Sequence, residues 1–299
     1  MTVDALCIGQ ATYDVSLFVD EHPEENSKHE THESFESGGG PAANAAVLLS
    51  RWGLRCAFAG LVGDDVYGRR IRDEFIEAGT DVSLLELRTG HPSPLSMILV
   101  SRHNGSRTLV NRKGEGAALQ LTAETLKPYS PRLLLFDGHE LEASLLALSL
   151  FPDAVSILDA GSWREGTAQL ACKVRYLAAS ERFAKQATGI ASLLEESHQR
   201  LCLSTLRNKF RATTIVTLGE RGLIYDDGSG FVHLPAFAVK AVDTTAAGDI
   251  FHGALAYALI EAMPLPQALR LSSMTAALSV EKPGGRASIP ALTTVEKSL

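Results

Sequence analysis

Residues 241–263 read AVDTTAAGDIFHGALAYALIEAM. The apolar positions Ile250, Phe251, Ala254, Leu255, Ala258, Leu259 and Ala262 recur with the period of a helix, so Ala246, Ala247 and Gly248 form its entry. Small side chains there leave main-chain N–H groups uncovered. Unpaired amides at the positive end of a helix dipole attract an anion, and a phosphate can approach such a backbone closely. Asp249 stands in the first turn. A carboxylate at that position either complements the dipole or serves as a base that takes a proton from a hydroxyl attacking the phosphate, with the amides stabilising the transferred group.

Upstream of this stretch, short apolar runs alternate with helical patterns. Ala5 to Ile8, Cys56 to Val62, Leu133 to Phe136, Val155 to Leu158, Val174 to Ala178 and Thr214 to Leu218 are strand candidates. The helical segments Ala42 to Trp52 and Tyr67 to Ala78 stop at Gly53 and Gly79, glycines that take the left-handed position after a helix. The alternation predicts an α/β fold with a mostly parallel sheet covered on both faces. Two stretches break the rhythm: residues 15–37, which are polar with alternating segments, and residues 95–111, which read strand, Asn104-Gly105 turn, strand. Both are expected to be antiparallel excursions, together forming a small β-sheet lid over the carboxyl ends of the parallel strands, where ligands of such folds sit.

Composition narrows the function classes. The chain has 299 residues, 45% hydrophobic and 21% charged, which is globular usage. Its 28 Lys and Arg against 35 Asp and Glu give a net charge of −7, which argues against nucleic-acid or membrane-surface binding, so an anionic ligand must be held locally. The four cysteines show no Cys-x-x-Cys spacing, the apolar runs are too short to span a membrane, and MTVDALCIG lacks a basic leader. The expectation is a reduced, cytoplasmic protein. Neither a Gly-x-Ser-x-Gly elbow, nor a Walker-type loop, nor a dinucleotide turn is present.

DTTAAGD at Asp243 to Asp249 resembles the signature of the ribokinase family, also called the PfkB carbohydrate kinases, and the resemblance extends over nearly the whole chain. It implies a ribokinase-like three-layer α/β/α domain over residues 1–299, with Asp249 as the catalytic base and Ala246, Ala247 and Gly248 as the anion-binding turn. Gly39, Gly40 and Asn44 within SGGGPAANAA, with Asp14, match the residues that hold sugar hydroxyls in the family. Thr217, Gly219 and Gly222 in TLGERG match its nucleotide-side turn, and Pro283 to Ser288 match the terminal loop, placing Gly285 beside the nucleotide.

By the same resemblance ATP is the co-substrate, and K⁺ is expected at Asp243, Thr245 and Ser288. The family's Asn-x-x-Glu is replaced by Ser180-Glu181-Arg182-Phe183, which leaves Glu181 as the candidate for Mg²⁺ through water. This serine, the GSRT at Gly105 to Thr108, the Asp137 to His139 segment and the Trp163 to Gly166 segment are similar to ketohexokinases and sulfofructose kinases. They point to a fructose-like ketose, with Lys28, Asn111 and His139 as lid or cleft contacts. An arginine stands in the sulfofructose kinases where His139 stands here, which speaks against a sulfonated substrate. A nucleoside kinase of the same family would carry more aromatic lid residues than Phe18 and Phe35, and a non-catalytic sugar-binding regulator would have no need of Asp249. Exposed lid strands make a homodimer through the lid the expected assembly.

Overall fold

The structure, a computed structural model, describes residues 2–114, 118–226, 228 and 230–299. The first half runs β1 (Ala5–Ile8), β2 (Thr12–Val19), β3 (Ser34–Gly39), α1 (Pro41–Arg51), β4 (Cys56–Gly63), α2 (Val66–Glu77), β5 (Asp81–Arg88), β6 (Leu95–Ser101), β7 (Arg107–Arg112), α3 (Ala123–Leu126) and β8 (Leu133–Phe136). The second half runs α4 (Leu141–Leu150), β9 (Val155–Ala160), α5 (Glu165–Ala171), β10 (Tyr176–Ser180), α6 (Glu181–Thr188), α7 (Glu196–Phe210), β11 (Thr213–Thr217), β12 (Leu223–Asp226), β13 (Phe231–Leu234), α8 (Ala247–Ile260), α9 (Leu265–Ser279) and α10 (Leu292–Ser298).

A nine-stranded sheet has the order β13-β12-β11-β10-β9-β8-β1-β4-β5. Every pair in it is parallel except β11 with β12 and β12 with β13. The central strands are buried on both faces, which is why they read as unbroken apolar runs rather than as alternation. Along β1, Ala5 and Cys7 join the core built with α1, α2, α8 and α9, while Leu6 and Ile8 join the core on the other face with α3 to α7. Helix starts and stops follow local chemistry. Pro41 occupies the first turn of α1, Asp65 accepts from Gly68 N to open α2, and Gly53 and Gly79 have φ of +88° and +81° after α1 and α2.

The second sheet has the order β3-β2-β6-β7 and its own small core of Phe18, Ile98 and Val100 with Phe35 packed on it. Three sequence expectations change here. The excursions are not purely antiparallel, since β2 pairs parallel with β6 and so ties the two hairpins into one sheet. The first excursion runs from Thr12 to Gly39 rather than from residue 15 to residue 37. The β6–β7 connection is a longer turn than Asn104-Gly105 alone, with Ser101 N donating to Ser106 O, although Gly105 does take φ of +68°. In the main sheet β10 lies two residues later than expected at its start, at Tyr176, because Val174 packs below the sheet in the second core.

The approach of α8 to α1 positions the site. A Cβ at Gly253 would lie 3.0 Å from Ala45 Cα and 3.3 Å from Leu48 Cβ, so the glycine lets the two helices meet backbone to backbone. Gly253→Leu is expected to lower stability by about 1–3 kcal/mol through overpacking. Urea unfolding reads this directly, and an unchanged midpoint would contradict the packing account.

Candidate active site

Asp249 is in the first turn of α8 and Asn44 is in α1; 205 residues apart in sequence, they meet with Asn44 Nδ2 donating to Asp249 Oδ2 at 2.7 Å. The helix opens at Ala246, which takes φ of +61°, and no side chain caps it. A Cβ at Gly248 would meet nothing within 4 Å, so the N-terminal turn faces open space on that side. An anion can approach these amides without displacing a side chain. The predicted turn of Ala246, Ala247 and Gly248 therefore has the shape an anion site requires.

Burial, and after it the Asp159 carboxylate at the end of β9, raise the Asp249 pKa to about 7 against the opposing effects of the Asn44 hydrogen bond, His252 and Arg107. His252 lies one helical turn along α8, its Nδ1 2.7 Å from Asp159 Oδ2, with side chains only 5% and 6% exposed. Burial disfavours the imidazolium, yet the Asp159 pairing raises its pKa on balance. The pair thus offsets a carboxylate that would otherwise repel the charge on Asp249. Sequence reading missed both residues. The signal was present in the i, i+3 spacing of Asp249 and His252, but the partner on β9 is visible only in three dimensions.

The residues expected on the sugar side converge on the base of the small sheet. Asp14 on β2 is paired in register with Ser37 on β3 and with Ser96 on β6, and Ser96 with Asn111 on β7. Residues directly opposite in a sheet share a face, so these four form one polar row. Asp14 accepts from Thr12 Oγ1 at 2.8 Å, and burial raises its pKa. A Cβ on Gly39 would come within 2.0 Å of Asp14 Oδ2, so this glycine makes room for the carboxylate, while Gly40 takes φ of +101° and is required by the backbone geometry. Ser37 and Ser96 carried no sequence signal, because register alone aligns them.

His139 follows β8 and lines a cavity of about 280 Å³ with Gln10, Lys113 and Glu140. Burial lowers its pKa, and its Nε2 lies 2.7 Å from Arg164 NH1, so the neutral ring accepts from that guanidinium. Asp137 accepts from Gln10 N, Ala42 N and His139 N, joining the cavity wall to the first turn of α1. Lys28 is not brought to this cluster. It is exposed in the connection between β2 and β3.

On the opposite side, Thr217 ends β11, Gly219 takes φ of +63° with open space beside it, and Gly222 takes φ of +88°. Leu218 N donates to Gly222 O at 2.7 Å and closes the turn. Glu181 opens α6 and is held 2.5 Å from Arg221 NH2 in that same turn. Among the described residues no group of three His, Cys, Asp or Glu is placed to hold a metal ion. The terminal loop closes on the anion turn: Asp243 accepts from Thr245 N at 2.8 Å and from Gly284 N at 2.9 Å, and Ser288 Oγ donates to Gly285 O at 2.8 Å. With its carboxylate so engaged, Asp243 has its carbonyl to offer a monovalent cation. Thr245 Oγ1 is buried with no hydrogen-bond partner among the described residues, which fits an oxygen awaiting a cation or water. The tip of the small sheet also docks here, since Arg107 on β7 donates to Thr244 O at 2.7 Å and to Thr244 Oγ1 at 2.8 Å.

A carboxylate beside open helix amides, held by Asn44 of α1, is an arrangement suited to phosphoryl transfer. Comparison with known proteins agrees. Residues 3–292 match the model of the pfkB family carbohydrate kinases, and the chain belongs to that family. It is 28% identical over 269 residues to a ribokinase of Haemophilus influenzae, covering 84% of each chain, and 26% identical over 280 residues to fructokinase-1 of Zea mays, covering 84% of this chain and 85% of that one. The ribokinase structure from Thermotoga maritima superimposes with a TM-score of 0.83 at 26% identity, over 99% of this chain and 98% of that chain. The fold is the ribokinase-like α/β fold with a mostly parallel central sheet and a separate small sheet, and the protein is a carbohydrate kinase. No helix among the described residues is long and apolar enough to cross a membrane.

As a base, Asp249 would have to be ionised to accept a proton. With its pKa raised to about 7, kcat/KM is expected to fall as pH drops below that value and to level off above it, and His252→Asn to move the acid limb to higher pH. The same shift bears on stability. A carboxyl whose pKa is higher folded than unfolded stabilises the fold fully only below its unfolded pKa, and that stabilisation is lost as pH rises through the folded value. Asp249→Asn is therefore expected to melt above the wild type at pH 8, the gap closing toward pH 4; calorimetry across that range checks the sign.

Proposed function

We propose that the protein transfers the γ-phosphoryl group of ATP to a primary hydroxyl of a small carbohydrate, a fructose-like ketose, with Asp249 as the base. The observation that carries this reading is the buried Asn44–Asp249 contact beside an uncapped, open helix N-terminus. In the reaction the acceptor oxygen bonds to Pγ and the bond from Pγ to the bridging oxygen breaks, its electron pair leaving with ADP. The hydroxyl proton goes to the Asp249 carboxylate. Because the transition state is loose, positioning and charge stabilisation dominate, and the base need only receive the proton late. The amides from Ala246 to Asp249 hold the transferring group, while Asp14, Gly39, Gly40 and Asn44 set the hydroxyl in line.

Glu181, which shares its carboxylate with Arg221, would hold magnesium through water, and the ion would supply charge neutralisation for the phosphates. Thr217, Gly219, Gly222 and Gly285 border the nucleotide. K⁺ would be held by oxygens of Asp243, Thr245 and Ser288, ordering the anion turn. Asn111 and His139 are the acceptor contacts on the lid and in the cleft; Lys28 would reach the acceptor only when the β2–β3 connection closes over it. The nucleoside reading is weaker, because Phe18 and Phe35 both pack into the lid's own core. The outer strand β7 is exposed along its length, with Leu109 and Val110 uncovered, which favours pairing with the lid of a second copy.

Asp249→Asn is expected to lower sugar-dependent ADP formation about 100-fold or more while ATP still binds; turnover that survives the change ends the assignment. A coupled ADP-release screen over fructose, other ketohexoses, their sulfonated analogues, ribose and nucleosides, with and without K⁺, reads the acceptor. A response confined to ribose or ribosides overturns the ketose preference.

A further inference from the structure

Arg286 is a buried cation in contact with the Asn44 amide. It lies in the short turn Gly285–Ser288, is only 2% exposed, and its guanidinium stands 4.7 Å over the ring of Phe75. Its Nε donates to Asn44 Oδ1 at 3.1 Å, NH1 to Glu74 Oε2 at 2.9 Å and NH2 to Gly39 O at 3.4 Å. The Glu74 carboxylate also accepts from Gly38 N at 2.9 and 2.8 Å. One guanidinium therefore touches the helix that carries Asn44, the glycine pair at the base of the small sheet, and α2.

An amide side chain has an acceptor end and a donor end, and here both are spoken for. Oδ1 faces the Arg286 donor while Nδ2 faces the Asp249 carboxylate. Rotating the amide by half a turn would set its oxygen against a carboxylate and its NH₂ against a guanidinium, so only one orientation is allowed. A buried ion pair is weak grounds for stability, since desolvation offsets most of its attraction. Conformational specificity is the better account of this one.

We propose that Arg286, held by Glu74, is a positioning residue that locks the Asn44 amide with its NH₂ toward Asp249, and so keeps the base aimed at the acceptor hydroxyl. This rests on the kinase reading above. Because Arg286 acts through Asn44, its loss should matter only while Asn44 is present. The test is a double-mutant cycle on kcat at saturating ATP and sugar, with Arg286→Lys, Asn44→Ala and the double variant. Arg286→Lys is expected to lower kcat about tenfold or more, with the KM for ATP within about twofold of wild type, and to cost less than about twofold further once Asn44 is alanine. Factors that multiply in the double variant overturn the inference, because a merely structural arginine would act independently of Asn44. Should Arg286→Lys fail to fold, the same cycle run with Glu74→Gln, at a partly exposed position, decides by the same criterion. A wild type that releases no ADP with any sugar overturns the kinase reading and this inference with it, whereas an active wild type with multiplicative factors sinks this inference alone.

Discussion

The contact between Asn44 and Asp249 is the constraint on which the site depends. It joins two helices from opposite ends of the chain, and it forms only because Gly253 allows α8 to lie directly on α1 at Ala45. Each helix brings its own half of the chemistry. The first turn of α1 follows Gly39, which approaches Asp14, and the first turn of α8 carries the open amides and Asp249. Packing of two apolar helix faces thus sets the distance between these two turns, and the strong hydrophobic driving force behind that packing makes the distance hard to alter.

Electrostatics around the base are balanced rather than simply attractive. An unscreened carboxylate buried among other carboxylates would stay protonated and be useless as a base. Asp159 adds to that problem, and His252 answers it from within the same helix. Arg107 reaches across from the small sheet to the anion turn, so part of the positive charge near Asp249 arrives with the lid.

Much of the architecture was legible before any coordinates. β1 and β8 fall on the expected residues, since a strand buried on both faces in a parallel sheet reads as a short apolar run bounded by turn residues. The stops at Gly53 and Gly79 were equally plain, because a positive φ after a helix is a local steric requirement. β12 and β13 escaped that reading, and the parallel pairing of β2 with β6 could not be read at all, as both strands would show the same pattern in either orientation.

For the site, the sequence by itself pointed to the turn at Ala246 to Gly248, to Asp249 and to Gly39 and Gly40, because each reading depends on a few adjacent residues. The tertiary structure alone decided what surrounds them. Ser96 aligned with Asp14, Asp159 paired with His252, and Arg286 set between Glu74 and Asn44 are contacts across distant segments, fixed by strand register and helix packing. Local chemistry is written in neighbouring residues, whereas a buried charge takes its meaning from whichever segment folds against it.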